Sequence, residues 1–196
     1  YLVKWAGLPY SQSTWQASGT WEGCAEHERQ FEHAMNNPCY VPADGSWRPA
    51  DIEKVAEFSA KGVDGDGNVL SLYKHQLHAL NWMLERWQQH INFLLGDEMG
   101  LGKTASIIAM LVRISDMTRG ISAATACSGP FLVVVPLSTL PHWQKEIATW
   151  APQFRVLVLH GAPDDRRVLK QRLWSANGSA DNRAYHFNVV LTTYDI

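Results

Sequence analysis

The chain has 196 residues, 46% hydrophobic and 18% charged, with a formal net charge of −2. That balance allows a sizeable core and excludes wholesale disorder, and the near-neutral charge excludes a uniformly basic nucleic-acid coat while leaving room for a local polar groove. Three cysteines without a CxxC spacing exclude a disulfide framework and fit a reducing compartment, and the longest apolar run is far short of the ~20 residues a membrane helix needs. In chain order, YLVKWAG (1–7) is a β-type run ended by Gly7, Pro9 and Ser11, and STWQ (13–16) reads as the returning strand of a hairpin. CAEHERQFEHAM (24–35) places Cys24, Phe31, Ala34 and Met35 near one helical face before NNP stops it. Residues 37–70 carry Pro38, Pro42, Pro49 and DGDGN (64–68), a linker composition with room for a short helix over PADIEKVAEFSA (49–60).

From Leu72 the pattern changes. Leu72, Gln76, Ala79, Leu80, Met83, Leu84 and Trp87 recur at helical spacing. INFLL (91–95) reads as a short buried strand, and GKTASIIAMLVRISDM (102–117) as a helix. RGISAATACSGP (119–130) is a small-residue loop with no assigned role. FLVVV (131–135), FRVLVL (154–159) and FNVVLTT (187–193) read as strands. Between them lie a helix at 138–150, with Ser138 or Thr139 as N-cap and Pro141 in its first turn, and a helix at 164–176 capped by Asp164 or Asp165. Apolar strands alternating with helices predict an α/β fold with a parallel sheet covered on both faces.

Between the predicted strand and helix lies LLGDEMGLGKTAS (94–106). A strand, a glycine-rich turn and a helix are the setting a phosphate loop requires. Gly100 and Gly102 can take backbone angles closed to other residues, and the helix N-terminus offers unpaired N–H donors and a positive dipole end. In such a loop Lys103 reaches the β- and γ-phosphates and the Thr104 hydroxyl ligates Mg²⁺. The general pattern asks for glycine at position 97, where this chain has Asp97, with Gly96 one residue earlier. Read alone, that break leaves a plain strand-to-helix turn open.

DEMGLGKT (97–104) resembles motif I of the Swi/Snf-type chromatin-remodelling ATPases of helicase superfamily two. LYKHQLHALNWM (72–83) is similar to that family's adenine-side motif, LVVVPLSTLPHWQKEI (132–147) to motif Ia, and VVLTTYDI (189–196) to motif Ib. The resemblance covers residues 70–196 and implies an incomplete RecA-like P-loop lobe. It implies that Asp97, Glu98, Met99, Gly100, Leu101, Gly102, Lys103 and Thr104 form the ATP loop, with ATP and Mg²⁺ as cofactors, and that Gln76 reads the adenine edge. His75 stands where the family usually has tyrosine. Ser138, Thr139, Thr192 and Thr193 are implied as DNA-phosphate contacts, although the first pair would equally serve as helix caps and the second as a strand end. Trp143 reads as a core or ridge residue.

YLVKWAGLPYSQSTWQ (1–16) resembles the end of a chromodomain, which together with the lobe points to the chromodomain-helicase-DNA-binding family. Trp5 matches one wall of a methyl-lysine cage, but Leu8 stands where another aromatic is often found, so the preferred reading is a remnant core holding Trp5 and Trp15. The expected layout is a partial chromodomain at 1–36, a linker at 37–70 and an ATP-binding domain at 71–196. The chain reads as an excerpt of a longer nuclear protein, a DNA-dependent ATPase that translocates on duplex DNA and repositions nucleosomes, with histones as partners, a second RecA-like lobe in cis and no membrane role. In this family hydrolysis takes an Asp-Glu pair after a later strand and arginine fingers from the second lobe. Neither is present here, so the excerpt is expected to bind nucleotide without hydrolysing it, and to aggregate through an incomplete sheet. The non-enzymatic alternative is a chromatin-binding fragment or degenerate paralogue. An RNA helicase is disfavoured by PLSTLPHW, and an unrelated P-loop kinase or GTPase by the glutamine motif.

Two other clusters do not make metal sites. Cys24, His27, His33 and Cys39 have spacings that suit no zinc finger. DGDGN lacks the sixth-position glycine and closing glutamate of a calcium loop, where Val69 and His75 stand.

Overall fold

A computed structural model of the chain describes residues 2–3, 12–20, 24–26, 28–29, 32, 39–42, 52–119, 129–173 and 182–196. The strands are β1 (Leu2–Val3), β2 (Thr14–Trp15), β3 (Cys39–Pro42), β4 (Phe131–Val134), β5 (Val156–Leu159), β6 (Asn182–Tyr185) and β7 (Val189–Thr192). The helices are α1 (Lys74–Gln88), α2 (Lys103–Arg119), α3 (Leu140–Trp150) and α4 (Pro163–Leu173). The chain divides into two units, one drawn from Tyr1–Ala43, Gly129–Pro136 and Arg155–Ile196, the other from Asp44–Ser128 and Leu137–Phe154.

In the first unit, the three valine-rich runs form a parallel sheet in the order β4-β7-β5, with Val189 opposite both Phe131 and Val156. Only the central strand β7 is buried throughout. On β5, Leu157 and Leu159 point into a core with Leu169, Phe187 and Val190. On β4, Leu132 is 68% exposed, so the expected cover on both faces holds for β7 and not for this edge. Asn188, 3% exposed, ties the starts of the strands together. Its Oδ1 accepts from the backbone N–H of Arg155 at 2.9 Å and from Arg155 Nε at 3.3 Å. Its own N–H donates to Arg155 O, and its carbonyl accepts the Phe131 N–H. β1 and β2 form the expected hairpin. An antiparallel pair, β3 with β6, falls where a linker was expected on one side and no element on the other, because neither CYVP nor NRAY carries the alternation that marks a strand from sequence. The described residues between 24 and 32 are helical, as expected, and Cys24 is buried.

α4 begins at Pro163, so Asp164 and Asp165 lie in its first turn and do not cap it. Proline is suited to the first helical position, and one residue further in the two carboxylates still meet the positive end of the helix dipole.

The second unit is helical. Gln76, Ala79, Leu80, Met83 and Leu84 make the buried stripe of α1, and Ala105, Ile108, Ala109 and Val112 that of α2. The two helices pack together and α2 also packs on α3. Burial of each large aliphatic side chain contributes about 1.5–3 kcal/mol. The expected helix over 49–60 is absent from its described part, residues 52–60. That backbone pairs across the chain instead: Ala60 N–H donates to Leu70 O, Leu72 N–H to Phe58 O, and the Asn81 side chain both donates to and accepts from Val55. Phe58 stacks on Trp150 with ring centroids 6.5 Å apart. Lys61 and Gly62 then donate to the carbonyls of Trp150 and Thr149, closing the end of α3. In DGDGN, Asp64 Oδ1 accepts the N–H groups of Asn68 and Asp66, each at 2.9 Å. These bonds, led by that from Asn68, hold its carboxyl below the usual range, and the turn closes on its own backbone.

Residues 91–98 form no strand. Leu94 is 88% exposed and Ile91 47%. An apolar run becomes a strand only when another strand offers it an edge, and no described strand pairs with this one.

Candidate nucleotide-binding site

The site lies in the helical unit, where the N-terminal turn of α1 meets the loop leading into α2. Gly100 and Gly102 both take left-handed backbone angles, with φ of 88° and 74°. The chain thereby turns sharply enough to start α2 at Lys103, whose first N–H groups have no intrahelical partner. The first helical bond runs from Ser106 N–H to Gly102 O at 3.2 Å. Beside Gly96 and Gly100, the positions a Cβ would take open onto free space, so that side of the loop is not plugged.

The Lys103 ammonium folds back over the loop and donates to Asp97 O at 2.6 Å and Glu98 O at 2.8 Å. Asp97 and Glu98 therefore contribute backbone oxygens here, while Met99, 95% exposed, and Leu101, 42% exposed, project outward. Thr104 is the second residue of α2 and half-buried. An ammonium, helix-terminal N–H groups and a hydroxyl on one turn are the donor set that suits a phosphate chain with its Mg²⁺.

Gln76, 6% exposed, is joined to the loop. Its Oε1 accepts the Tyr73 N–H at 2.8 Å. Its Nε2 donates to Leu101 O at 3.1 Å and Gly102 O at 3.4 Å. His75 Nε2 lies 3.3 Å from the same Leu101 oxygen, and its ring stacks on Tyr73 at 5.9 Å. A cleft of about 550 Å³ opens beside this contact, lined by His75, His78, Ala79, Trp82, Leu94, Leu95, Gly96, Asp97 and Leu101. Trp82 meets Phe93 edge-on at 5.4 Å. The link from Gln76 to the loop and the Tyr73–His75 stack were not foreseen from sequence; the Gln76 spacing from Tyr73, that of a reach-back to the helix start, was the available signal.

The four other polar positions differ in burial. Ser138 is exposed and Thr139 half-buried on the 3₁₀ turn Leu137–Thr139. Thr139 is the N-cap of α3 by position, with no capping bond from its side chain, and Pro141 follows in the first turn. Thr192 and Thr193 are buried at 8% and 4% exposure. The Thr192 hydroxyl donates to Leu159 O at 2.7 Å, joining β7 to β5. Replacing Thr192 with valine keeps the shape and deletes that bond, and is expected to cost about 1 kcal/mol of stability, read as a lower denaturation midpoint. Trp143 is half-buried, and Trp5 lies outside the described residues. Among the described residues no group of histidine, cysteine and acidic side chains could hold a metal, and no helix is long and apolar enough to cross a membrane.

Comparison with known proteins is consistent along the chain. The SNF2-related domain matches residues 75–196. The whole chain aligns at 34% identity with Chromodomain-helicase-DNA-binding protein 6 of Homo sapiens, spanning 7% of it. It aligns at 34% with Chromodomain-helicase-DNA-binding protein 8 of Xenopus tropicalis, spanning 8%. A solved Sulfolobus solfataricus SWI2/SNF2 ATPase core in complex with dsDNA is similar with a TM-score of 0.48 at 26% identity, over 74% of this chain and 24% of that one. With the SNF2-related domain covering well over half of its residues, the chain belongs to the SNF2-related family, and its similarity to the chromodomain-helicase-DNA-binding proteins runs its full length.

Proposed function

We propose that this chain is the ATP-holding part of an ATP-dependent chromatin remodeller that works on duplex DNA and nucleosomes in the nucleus. The observation that carries the reading is the 97–104 turn: two left-handed glycines, a helix N-terminus and a lysine ammonium held on loop carbonyls. The ammonium on Asp97 O and Glu98 O is close at hand for an anion that competes for it. Thr104 would take Mg²⁺, which supplies charge neutralisation along the phosphates. The relatives' printed names, and the exposure of Ser138 beside the N-terminus of α3, support DNA contact through Ser138 and Thr139 by phosphate, a contact that positions without reading sequence. Thr192 and Thr193 are buried at the end of β7, which gives them a supporting part in that strand end. Residues 1–36 serve as a chromodomain remnant including Trp5, 37–70 as the connection and 71–196 as the ATP-binding domain.

By itself this chain binds nucleotide without hydrolysing it. Its only Asp-Glu dipeptide is Asp97-Glu98, and that pair lies in the loop with its carbonyls on Lys103.

The test is titration of a fluorescent ATP analogue with Mg²⁺ into the chain and into Lys103→Ala. A charged hydrogen-bond donor is worth about 1.5–3 kcal/mol, so affinity should fall about 10- to 100-fold. Equal affinities would contradict the assignment.

A further inference from the structure

Lys61 holds two helices at once. Its backbone N–H donates to Trp150 O at 3.3 Å, on the last residue of α3. Its ammonium pairs with Asp116 Oδ2 at 2.8 Å, on the last turn of α2. The neighbouring residues press the same belt down. Phe58 stacks on Trp150, and Gly62 N–H donates to Thr149 O at 3.0 Å. A Cβ on Gly62 would lie 2.8 Å from that oxygen and 3.1 Å from Ala148 O, so a side chain there would force the belt off α3. Val55, bonded to the Asn81 side chain, ties the start of the belt to α1.

The belt grips α2 and α3 at their C-terminal ends. Their N-terminal ends carry the residues read as functional: Lys103 and Thr104 begin α2, and Ser138 and Thr139 precede α3. α2 runs about 20 Å from Lys103 to Asp116, and α3 about 16 Å from Thr139 to Trp150. Two helices packed along one stretch can tilt about that contact. Bonds from a single residue to both far ends fix a second point, so a tilt of α2 is passed to α3 instead of being absorbed. The ion pair is partly exposed, with side chains 43% and 28% accessible, and such a pair contributes little to stability. Lys61 is therefore a joint that can be cut without unfolding the chain.

We propose that the belt of residues 55–62, through Lys61, couples occupancy of the phosphate loop to the start of α3. By reciprocity, a ligand at the start of α3 then changes affinity at the loop. The proposal rests on the phosphate-loop reading above, and Lys61 acts in it as a positioning residue.

The experiment titrates inorganic tripolyphosphate with Mg²⁺ into the ¹⁵N-labelled 196-residue chain. It does the same for Lys61→Met, which cuts the belt from α2, and for Gly62→Ala, which lifts it from α3. In the parent chain the amide signals of Ser138, Thr139 and Leu140 should shift, saturating at the same concentration as those of Gly102 and Lys103. In both variants the loop signals should still saturate within about twofold of the parent concentration, while the shifts at 138–140 are lost. If Gly62→Ala does not fold, Lys61→Met decides alone. Shifts at 138–140 that persist in Lys61→Met would overturn the proposal and leave the phosphate site standing. So would their absence from the parent chain while its loop responds, or their saturation at a separate concentration, which would mean a second anion on α3. Loop signals that never move would overturn the phosphate site and the coupling with it.

Discussion

Gly102→Val is expected to weaken capture of ATP and of tripolyphosphate about 100-fold. Gly102 holds φ at 74°, a conformation that costs a side-chain-bearing residue about 1–3 kcal/mol and a β-branched one the most. The new Cβ would also meet the Gln76 amide, so either that side chain leaves its carbonyls or the loop moves off it. In the free variant the loop relaxes to relieve the strain, and binding must restore it. A total near 3 kcal/mol corresponds to the stated factor. Gly100→Ala is the internal comparison. Its φ of 88° is equally left-handed, but a Cβ there meets nothing within 4 Å, so the strain acts without the collision and the loss should be nearer tenfold. Equal effects of the two substitutions would show that the contact with Gln76 plays no part.

The largest loss of stability is expected from Gly129→Ala, about 3 kcal/mol or more. Gly129 has φ of 126°, a region essentially reserved for glycine, and a Cβ would strike the backbone of Asn188. Backbone cannot swing aside as a long side chain can, and Asn188 is itself fixed by its bonds to Arg155 and Phe131. The substitution therefore acts at the point where β4, β5 and β7 begin. The check is the denaturation midpoint followed by circular dichroism. A midpoint unchanged from the parent chain would contradict the arrangement of this sheet.

Much of this was legible in the residues. α1 appears where helical spacing puts it, α2 where the glycine loop starts a helix, and α3 where a cap and a first-turn proline mark one. β4, β5 and β7 appear where valine-rich runs put them. What failed depended on partners that a linear reading does not supply. INFLL has the composition of a strand, but no described strand pairs with it. The stretch 52–60 has helix formers, yet its amides bond across to Leu70 and Asn81. β3 and β6 are strands through each other, not through their own patterns. At the site, glycines, lysine and threonine were readable because loop chemistry is local. The hold of Gln76 on Leu101 and Gly102 was not, since it joins positions 25 and 26 residues apart. Nor was the Thr192 bond to Leu159, which exists only once β5 and β7 lie side by side.

The most direct measurement is titration of tripolyphosphate with Mg²⁺ into ¹⁵N-labelled chain while the backbone amide signals are followed. The account predicts saturable shifts centred on Gly100, Leu101, Gly102, Lys103 and Thr104, and their loss in Lys103→Ala. Saturation with those five signals unmoved, or no response anywhere, would contradict it.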